Sequence, residues 1–489
     1  MSKNLHLMAF DMGASNGRGI MGEFDGKRMT LTEMHRFENN FTTYNNLSYW
    51  DVNNLVSSMK ETFSICAEKG VKLDCFGVDT WGVDYGLLGA DGRLLDDPRA
   101  YRCATDEEME LAWTIVPRKT LFDRTGIANM NFNTVYQLYR RVHDHNPNLA
   151  RADTLLMMPD LLGYLLTGVK KSEYSNVTTT NLYDVHKHDW DWDTITALNI
   201  PMHIFTEIDR AGTLRGQLLP SLCEELGIEP VQYAAVGTHD TASAVVAIPG
   251  SGSFAFCSSG TWSLFGVETD KPILTDSVYQ SGFSNEGTAQ GSYRPLKNIM
   301  GLWLIQECRR EWQRAGENWS WDEIVKAAET VAPFRSIIDP DFQEFFGAGN
   351  MIQKIRRFCN RTGQPVPESV GEIARCIYES LGLKYRWALE RLEEIKGQKI
   401  DSLNITGGGI QNKLLNRFAA DSTGVPVTTG PVEGAALGNL LYQAVAMGEL
   451  SGIEQARQVV RDSVEVDTYE PHRTAAWDDA YGRLLSYMG

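Results

Sequence analysis

The chemistry this chain could perform is concentrated in a few short stretches. In Gly237-Thr238-His239-Asp240-Thr241-Ala242-Ser243-Ala244, a strand-like run delivers a His and an Asp to a point where small residues begin a helix. An Asp there can take a proton from a substrate hydroxyl as general base; it is also a common helix cap. In Asp11-Met12-Gly13-Ala14-Ser15-Asn16-Gly17-Arg18 an apolar strand ends in an Asp and a turn of small residues, and a second strand leaves it. Small residues let backbone N–H groups approach an anion, and an Asp beside phosphates suits water-mediated Mg²⁺ contact. A plain hairpin turn uses the same residue types. The pattern is neither a Walker A loop nor a dinucleotide fingerprint, because a strand rather than a helix follows it.

The second half repeats the device. Cys257-Ser258-Ser259-Gly260-Thr261-Trp262-Ser263-Leu264 is again strand, small polar turn, strand, so two hairpins could clamp one phosphate chain. Read alone, it is an ordinary hairpin. Ile405-Thr406-Gly407-Gly408-Gly409-Ile410-Gln411-Asn412 closes a buried strand with three glycines and opens a helix, which lets a flat ring or a ribose lie on backbone. Val78-Asp79-Thr80-Trp81-Gly82-Val83-Asp84 sets two carboxylates and a Trp at another strand end. Carboxylates plus an aromatic face are what polyol recognition uses. The same stretch also reads as a hairpin with an exposed Asp. His143, His145, His186 and His188 lie in polar stretches and read as surface residues rather than metal ligands.

These motifs need strands that end together. The first forty residues read as a β-meander: LHLMAFD, RGIMGEF and MTLTEMHRF. LVSSMKETFSICAEKG follows as an amphipathic helix, LDCFGVDT as a buried strand, and WGVDYGLLGADGRLL as a hairpin around Ala90-Asp91-Gly92. Residues 104 to 170 read as mostly helical. Strands return near 231, helix from about 293 to 330, and helix again through VGEIARCIYESLGLKYRWALERLEEIKG. Strand, helix, strand and helix then alternate to EGAALGNLLYQAVAMG, whose small-residue face (433–438) is expected to support the triple-glycine turn. The division expected is an N-terminal lobe over 1–245 and a C-terminal lobe over 246–489.

With 489 residues, 43% hydrophobic and 10% aromatic, the chain can build two large cores and is not disordered. A formal charge of −17 argues against sequence-independent binding to nucleic acid or anionic lipid. The uncharged run Thr241 to Val267 is interrupted by Pro249 and several glycines, so it reads as buried strands rather than a membrane span. The N-terminus lacks a signal-peptide pattern, and the eight Cys include no C-x-x-C, so a cytoplasmic protein with reduced thiols is expected. Cys359 and Cys376 could still approach if a helix, turn and returning helix bring them together, and a Cys66–Cys223 pair is the other pairing considered.

The order of the motifs resembles the actin/hexokinase/sugar-kinase ATPases, and the chain is similar in detail to the FGGY carbohydrate kinases. The matching stretches include DMGASNGR (11–18), VDTWGVDYGLL (78–88), THDTASAV (238–245), SSGTWSLFGVE (258–268), YRPLKNIMGLWLIQ (293–306), ITGGGIQNKLLN (405–416) and GPVEGAALGN (430–439). They span nearly the whole chain. The resemblance implies an α/β, two-lobed actin-like/hexokinase-type (ribonuclease H-like) ATPase fold with a ligand cleft between the lobes. It implies an ATP-dependent ketose kinase making a 1-phosphate, with L-rhamnulose as the leading sugar. L-fuculose and L-xylulose are the alternatives, and a non-catalytic ATP-binding scaffold is the rival outside enzymes. Asp240 would be the general base. Gly82, His239, Asp240, Thr241 and Asn298 would line the sugar site. Ala14, Ser15, Asn16, Gly17, Arg18, Thr261, Gln306 and Gly408 would hold ATP, and Asp11 would hold Mg²⁺ through water. The partners implied are a ketose and ATP, with no nucleic acid or membrane, in a monomer or homodimer. One stretch departs from the family: where a Y/W-x-D-x-R-T pattern is usual, this chain has Tyr101-Arg102-Cys103-Ala104-Thr105-Asp106.

Overall fold

The computed structural model describes residues 4–472 and 474–488. By contact the chain forms two compact units. The first takes the chain up to Pro249 and two later excursions, Glu268–Pro295 and Gly434–Val464; the second takes Gly250–Val267, Leu296–Glu433 and the chain from Glu465.

In the first unit the apolar runs of the N-terminus become β1 (Leu5–Met12), β2 (Asn16–Phe24) and β3 (Met29–Glu38), an antiparallel meander. The amphipathic helix α1 (Val52–Glu68) is capped by Asp51, whose side chain accepts from Asn54 N–H. It returns the chain to β4 (Cys75–Thr80), which runs parallel to β1. Strands β5 (Thr213–Gln217) and β6 (Gln232–Ala235) complete a sheet of order β5-β6-β4-β1-β2-β3. β4 is buried at every residue, as a strand covered on both faces must be. Past β6 comes the short helix α2 (Asp240–Val246). The Gly434–Ala446 helix also belongs to this unit and packs on α2, β1 and β4. The expectation that its small residues support the triple-glycine turn is corrected here: they serve α2.

The hairpin expected around Ala90-Asp91-Gly92 is also revised. Strand Tyr85–Leu88 pairs antiparallel with Thr154–Met157; the local turn does close, through Gly89 N–H to Arg93 O and Leu95 N–H to Leu87 O at 2.9 Å each, but with a single bridge, Leu88 to Leu94, rather than a ladder. The tertiary partner gives four ladder pairs where the local one gives one. Residues 104–170 are mostly helical, as their spacing predicts.

The second unit repeats the core of the first. β7 (Phe254–Ser259) and β8 (Trp262–Gly266) form an antiparallel hairpin, and residues 296–300 of β9 (Tyr293–Met300) extend it. The sequence pattern predicts helix from about 293; residues 296–300 instead pair with β8, and helix begins only at Trp303. The long helix α3 (Val370–Lys396) opens with a Ser369/Glu372 capping box and ends at Gly397 in a left-handed conformation. β10 (Ser402–Thr406) lies parallel to β7, and Val427–Thr429 continues the sheet. All eight cysteines are free. Cys359 and Cys376 do meet, thiol to thiol across two helices, without a covalent bond. Cys66 and Cys223 are likewise unbonded, so neither pairing considered from sequence is present.

Candidate active site

In the first unit the carboxyl ends of parallel β1 and β4 bring Asp11 and Asp79 side by side as ladder partners. On its other flank Asp11 faces Arg18 of β2, and Arg18 Nη2 donates to Asp11 Oδ2 at 2.5 Å. A bridge from Thr80 to His239 brings the start of α2 to the same edge. Strand ends of an open α/β sheet are where such folds bind ligands.

The turn 13–16 is tied down by Gly13 N–H to Asn16 O at 2.9 Å and by Asn39 Nδ2 to Gly13 O at 3.0 Å. Ser15 and Asn16 stay exposed, Ala14 and Arg18 half-buried, and Gly17 buried. Asp79 is fully buried and its carboxyl is pushed well up, first by burial and then by Asp11. Asn439 Nδ2 donates to Asp79 Oδ2 at 2.7 Å, and Gln443 holds Asn439 Oδ1 while donating to Met8 O. Asp79 Oδ1 has no partner. An all-oxygen set of a paired Asp11 carboxylate and an unsatisfied Asp79 oxygen fits Mg²⁺, a hard cation that keeps its waters. Among the described residues no group of three or more His, Cys, Asp or Glu is arranged to hold a metal directly, and His143, His145, His186 and His188 are exposed.

Asp240 is the first residue of α2, with His239 at the cap position. Its Oδ1 accepts from Thr241 N–H at 2.5 Å and from Thr241 Oγ1 at 3.0 Å. His239 Nε2 lies 3.5 Å from the same oxygen. Asp240 is the accessible member of the set, with 32% of its side chain exposed, while His239 and Thr241 are buried. The segment is anchored by buried Glu173, whose Oε2 accepts from Thr238 N–H and Oγ1, at 3.1 and 2.7 Å. Burial raises the Glu173 carboxyl, and these donors oppose it.

Gly82 packs under Thr179, and next to it Val83 sits at φ 68°, a left-handed conformation that a β-branched residue rarely adopts. Thr179 Oγ1 holds Val83 N–H at 3.0 Å and Thr134 Oγ1 donates to Val83 O at 2.6 Å, so the surroundings enforce the strain. Asp84 is not the exposed carboxylate of the hairpin reading. It is fully buried, and Oδ2 accepts from Trp50 Nε1, Trp81 Nε1 and Tyr101 N–H at 2.7, 3.0 and 3.1 Å. Trp81 is also buried, its ring 3.9 Å from that of Trp50.

In the second unit Thr261 Oγ1 donates to Gln306 Oε1 at 3.3 Å, and Thr261 O accepts from Gly301 and Trp303 N–H. The triple-glycine turn presses on the β7 end: a Cβ on Gly407 would stand 2.8 Å from Ser259 O, and one on Gly409 2.1 Å from Ser259 Oγ. Gly408 between them has nothing within 4 Å, an open backbone face of the kind a flat ring needs. Thr261, Gln306 and Gly408 are thus gathered at one hairpin end. Asn298 lies opposite Leu264 on β9, and its buried Oδ1 has no partner. Sequence reasoning left Glu173, Glu286, Arg294 and Asn439 without a role. Arg294 and Asn439 lie in the matching stretches and Glu286 in the similarly matching Asn285-Glu286-Gly287, whereas nothing in the sequence singles out Glu173.

The FGGY family model "FGGY family of carbohydrate kinases" matches with its N-terminal domain at residues 6–247 and its C-terminal domain at 255–447. The chain belongs to the FGGY family of carbohydrate kinases. It is 40% identical to the rhamnulokinase of Bacteroides thetaiotaomicron, over 97% of this chain and 98% of that one. It is 41% identical to the rhamnulokinase of Halalkalibacterium halodurans, over 95% and 98%. Among solved structures, a gluconate kinase from Lactobacillus acidophilus superposes with a TM-score of 0.81 at 16% identity, covering 99% of this chain and 97% of that one. The Plasmodium falciparum glycerol kinase with ADP gives 0.76 at 13%, covering 99% and 98%. These likenesses show the α/β two-domain kinase fold. No helix among the described residues is long and apolar enough to cross a membrane.

Proposed function

We infer that this chain is an ATP-dependent kinase that phosphorylates the 1-hydroxyl of L-rhamnulose. The observation that carries the reading is near-full-length identity of 36–41% to six curated rhamnulokinases. The accessible carboxylate of Asp240 at the start of α2 supports it. In this reading Asp240 accepts the hydroxyl proton, the freed oxygen pair bonds to the γ-phosphorus, and ADP departs with the electrons of the broken P–O bond. Gly82, His239, Thr241 and Asn298 position the ketose, with the unpartnered Asn298 oxygen ready to accept from a sugar hydroxyl. Ala14 to Arg18, Thr261, Gln306 and Gly408 hold the nucleotide. Asp11, with Arg18 fixing its orientation, would hold Mg²⁺ through water, and the chemistry such a cation supplies is neutralisation of phosphate charge. The test is ADP release across L-rhamnulose, L-fuculose and L-xylulose, with the product read by phosphorus NMR. L-rhamnulose should give the highest kcat/KM and a 1-phosphate; a higher value for either other ketose would reassign the substrate.

A further inference from the structure

His239 has two neighbours that no motif predicted. Arg294 Nη2 lies 2.5 Å from His239 Nδ1 and 2.7 Å from Glu286 Oε2, and Arg294 Nε donates to Gly287 O at 2.8 Å. Glu286 Oε2 is 3.3 Å from His239 Nδ1. A guanidinium carries only donors, so a ring nitrogen that approaches it at 2.5 Å must present its lone pair. A hydrogen on Nδ1 would point head-on at an N–H. The ring hydrogen therefore sits on Nε2, the nitrogen that faces Asp240 Oδ1 at 3.5 Å.

The arrangement is expensive for the fold. Arg294 is wholly buried and its Nη1 has no partner. Buried ion pairs seldom stabilise relative to apolar packing, and an unsatisfied buried donor adds a further cost. Burial works to raise Glu286, but the charge of Arg294 beside it holds the carboxyl below the ordinary range. A charge placed here at such cost calls for a positional role.

We propose that Arg294 is a positioning residue that locks His239 in the Nε2–H tautomer, with Glu286 neutralising and aiming the guanidinium. So locked, the imidazole presents a donor toward Asp240 and toward the substrate oxygen, and it has no free lone pair with which to compete for the proton. That consequence rests on Asp240 being the base of the proposed kinase reaction; the tautomer itself does not.

The test is nitrogen NMR of the full-length protein labelled at histidine, with the His239 ring assigned by its loss in His239→Gln. Wild type should show the pyrrole-type nitrogen at Nε2. In Arg294→Met the Glu286 carboxylate becomes the nearest partner of Nδ1, so the hydrogen should move to Nδ1. Turnover should fall about 10–100-fold, the range typical of outer-shell orienting groups. Arg294→Lys, still a pure donor, should restore Nε2–H and part of the turnover, and Glu286→Gln should leave the tautomer unchanged. A wild-type ring protonated at Nδ1 overturns the proposal even if Arg294→Met does not fold, and so does an unchanged tautomer in a folded Arg294→Met. If L-rhamnulose proves not to be the substrate, the tautomer result is unaffected.

Discussion

Gly438 lies so close to Ser243 of α2 that a Cβ on it would stand 1.8 Å from the Ser243 carbonyl oxygen. The obstacle is backbone, not the tip of a side chain, so it cannot swing away. Gly438→Ala should therefore separate the two helices. Overpacking of this kind costs about 1–3 kcal/mol and sometimes more. Because α2 begins with Asp240, turnover should fall along with stability. Gly482 offers the contrast: it lies inside a helix with nothing within 4 Å. Gly482→Ala should stabilise by about 0.5–1 kcal/mol through helix propensity and leave turnover unchanged. Urea unfolding of both variants checks the pair.

Asp240→Asn removes the carboxylate while keeping its size and one acceptor for Thr241. Turnover should drop about 10²–10⁴-fold, the usual consequence of losing a positioned base. Binding of sugar and of ATP, measured by calorimetry, should persist. A variant that kept most of wild-type kcat would remove Asp240 from the mechanism.

The local pattern made the N-terminal meander, α1, α3 and the strand ending in Gly407-Gly408-Gly409 readable, because each has a clear period and its own stop signal. It failed at 293–300, where a strand of mixed apolar and polar residues runs almost directly into a true helix and the two periods blur. It also failed at Asp84, since nothing in Val83-Asp84-Tyr85 announces that Trp50, Trp81, Tyr101 and Gln137 converge on that carboxyl from distant positions. The two excursions into the first unit are invisible for the same reason. Gly434–Ala446 reads as a small-faced helix, but only the fold reveals that its partner is α2.

Asn439 is the sole hydrogen-bond donor to the buried Asp79 carboxyl among the described residues, at 2.7 Å. Asn439→Ala leaves the Asp79 carboxyl without its donor and one Gln443 N–H without its acceptor, while Gln443 keeps its bond to Met8 O. A stranded buried polar group costs about 1–3 kcal/mol. The double variant Asn439→Ala/Asp79→Ala should be less destabilised than the sum of the two single variants, because the second change removes the stranded carboxyl. Additivity within about 0.5 kcal/mol would mean that the two residues are energetically independent.

The Asp84 carboxyl is raised to about 6 from an ordinary 3.8, because burial penalises its charge more than Trp50, Gln137, Tyr101 and Trp81 can offset as donors. Its folded value lies above its unfolded one, so the native state binds the extra proton between the two. The stabilisation from that proton is complete below about 3.8 and is lost as pH rises through about 6. The loss is on the order of 3 kcal/mol, from roughly two pH units at about 1.4 kcal/mol each. Asp84→Asn is neutral throughout and can keep an acceptor oxygen toward Trp50, Trp81 and Tyr101, at the cost of one bond to Gln137. Other buried acids, including Asp160, also titrate in this range, so the wild-type curve alone cannot isolate Asp84. The difference between variant and wild type can. Unfolding free energies at pH 4 and pH 7 should show the variant gaining on wild type as pH rises. A difference that stayed flat, or moved the other way, would mean that Asp84 is already ionised at pH 4 in the folded protein and that its four donors outweigh burial.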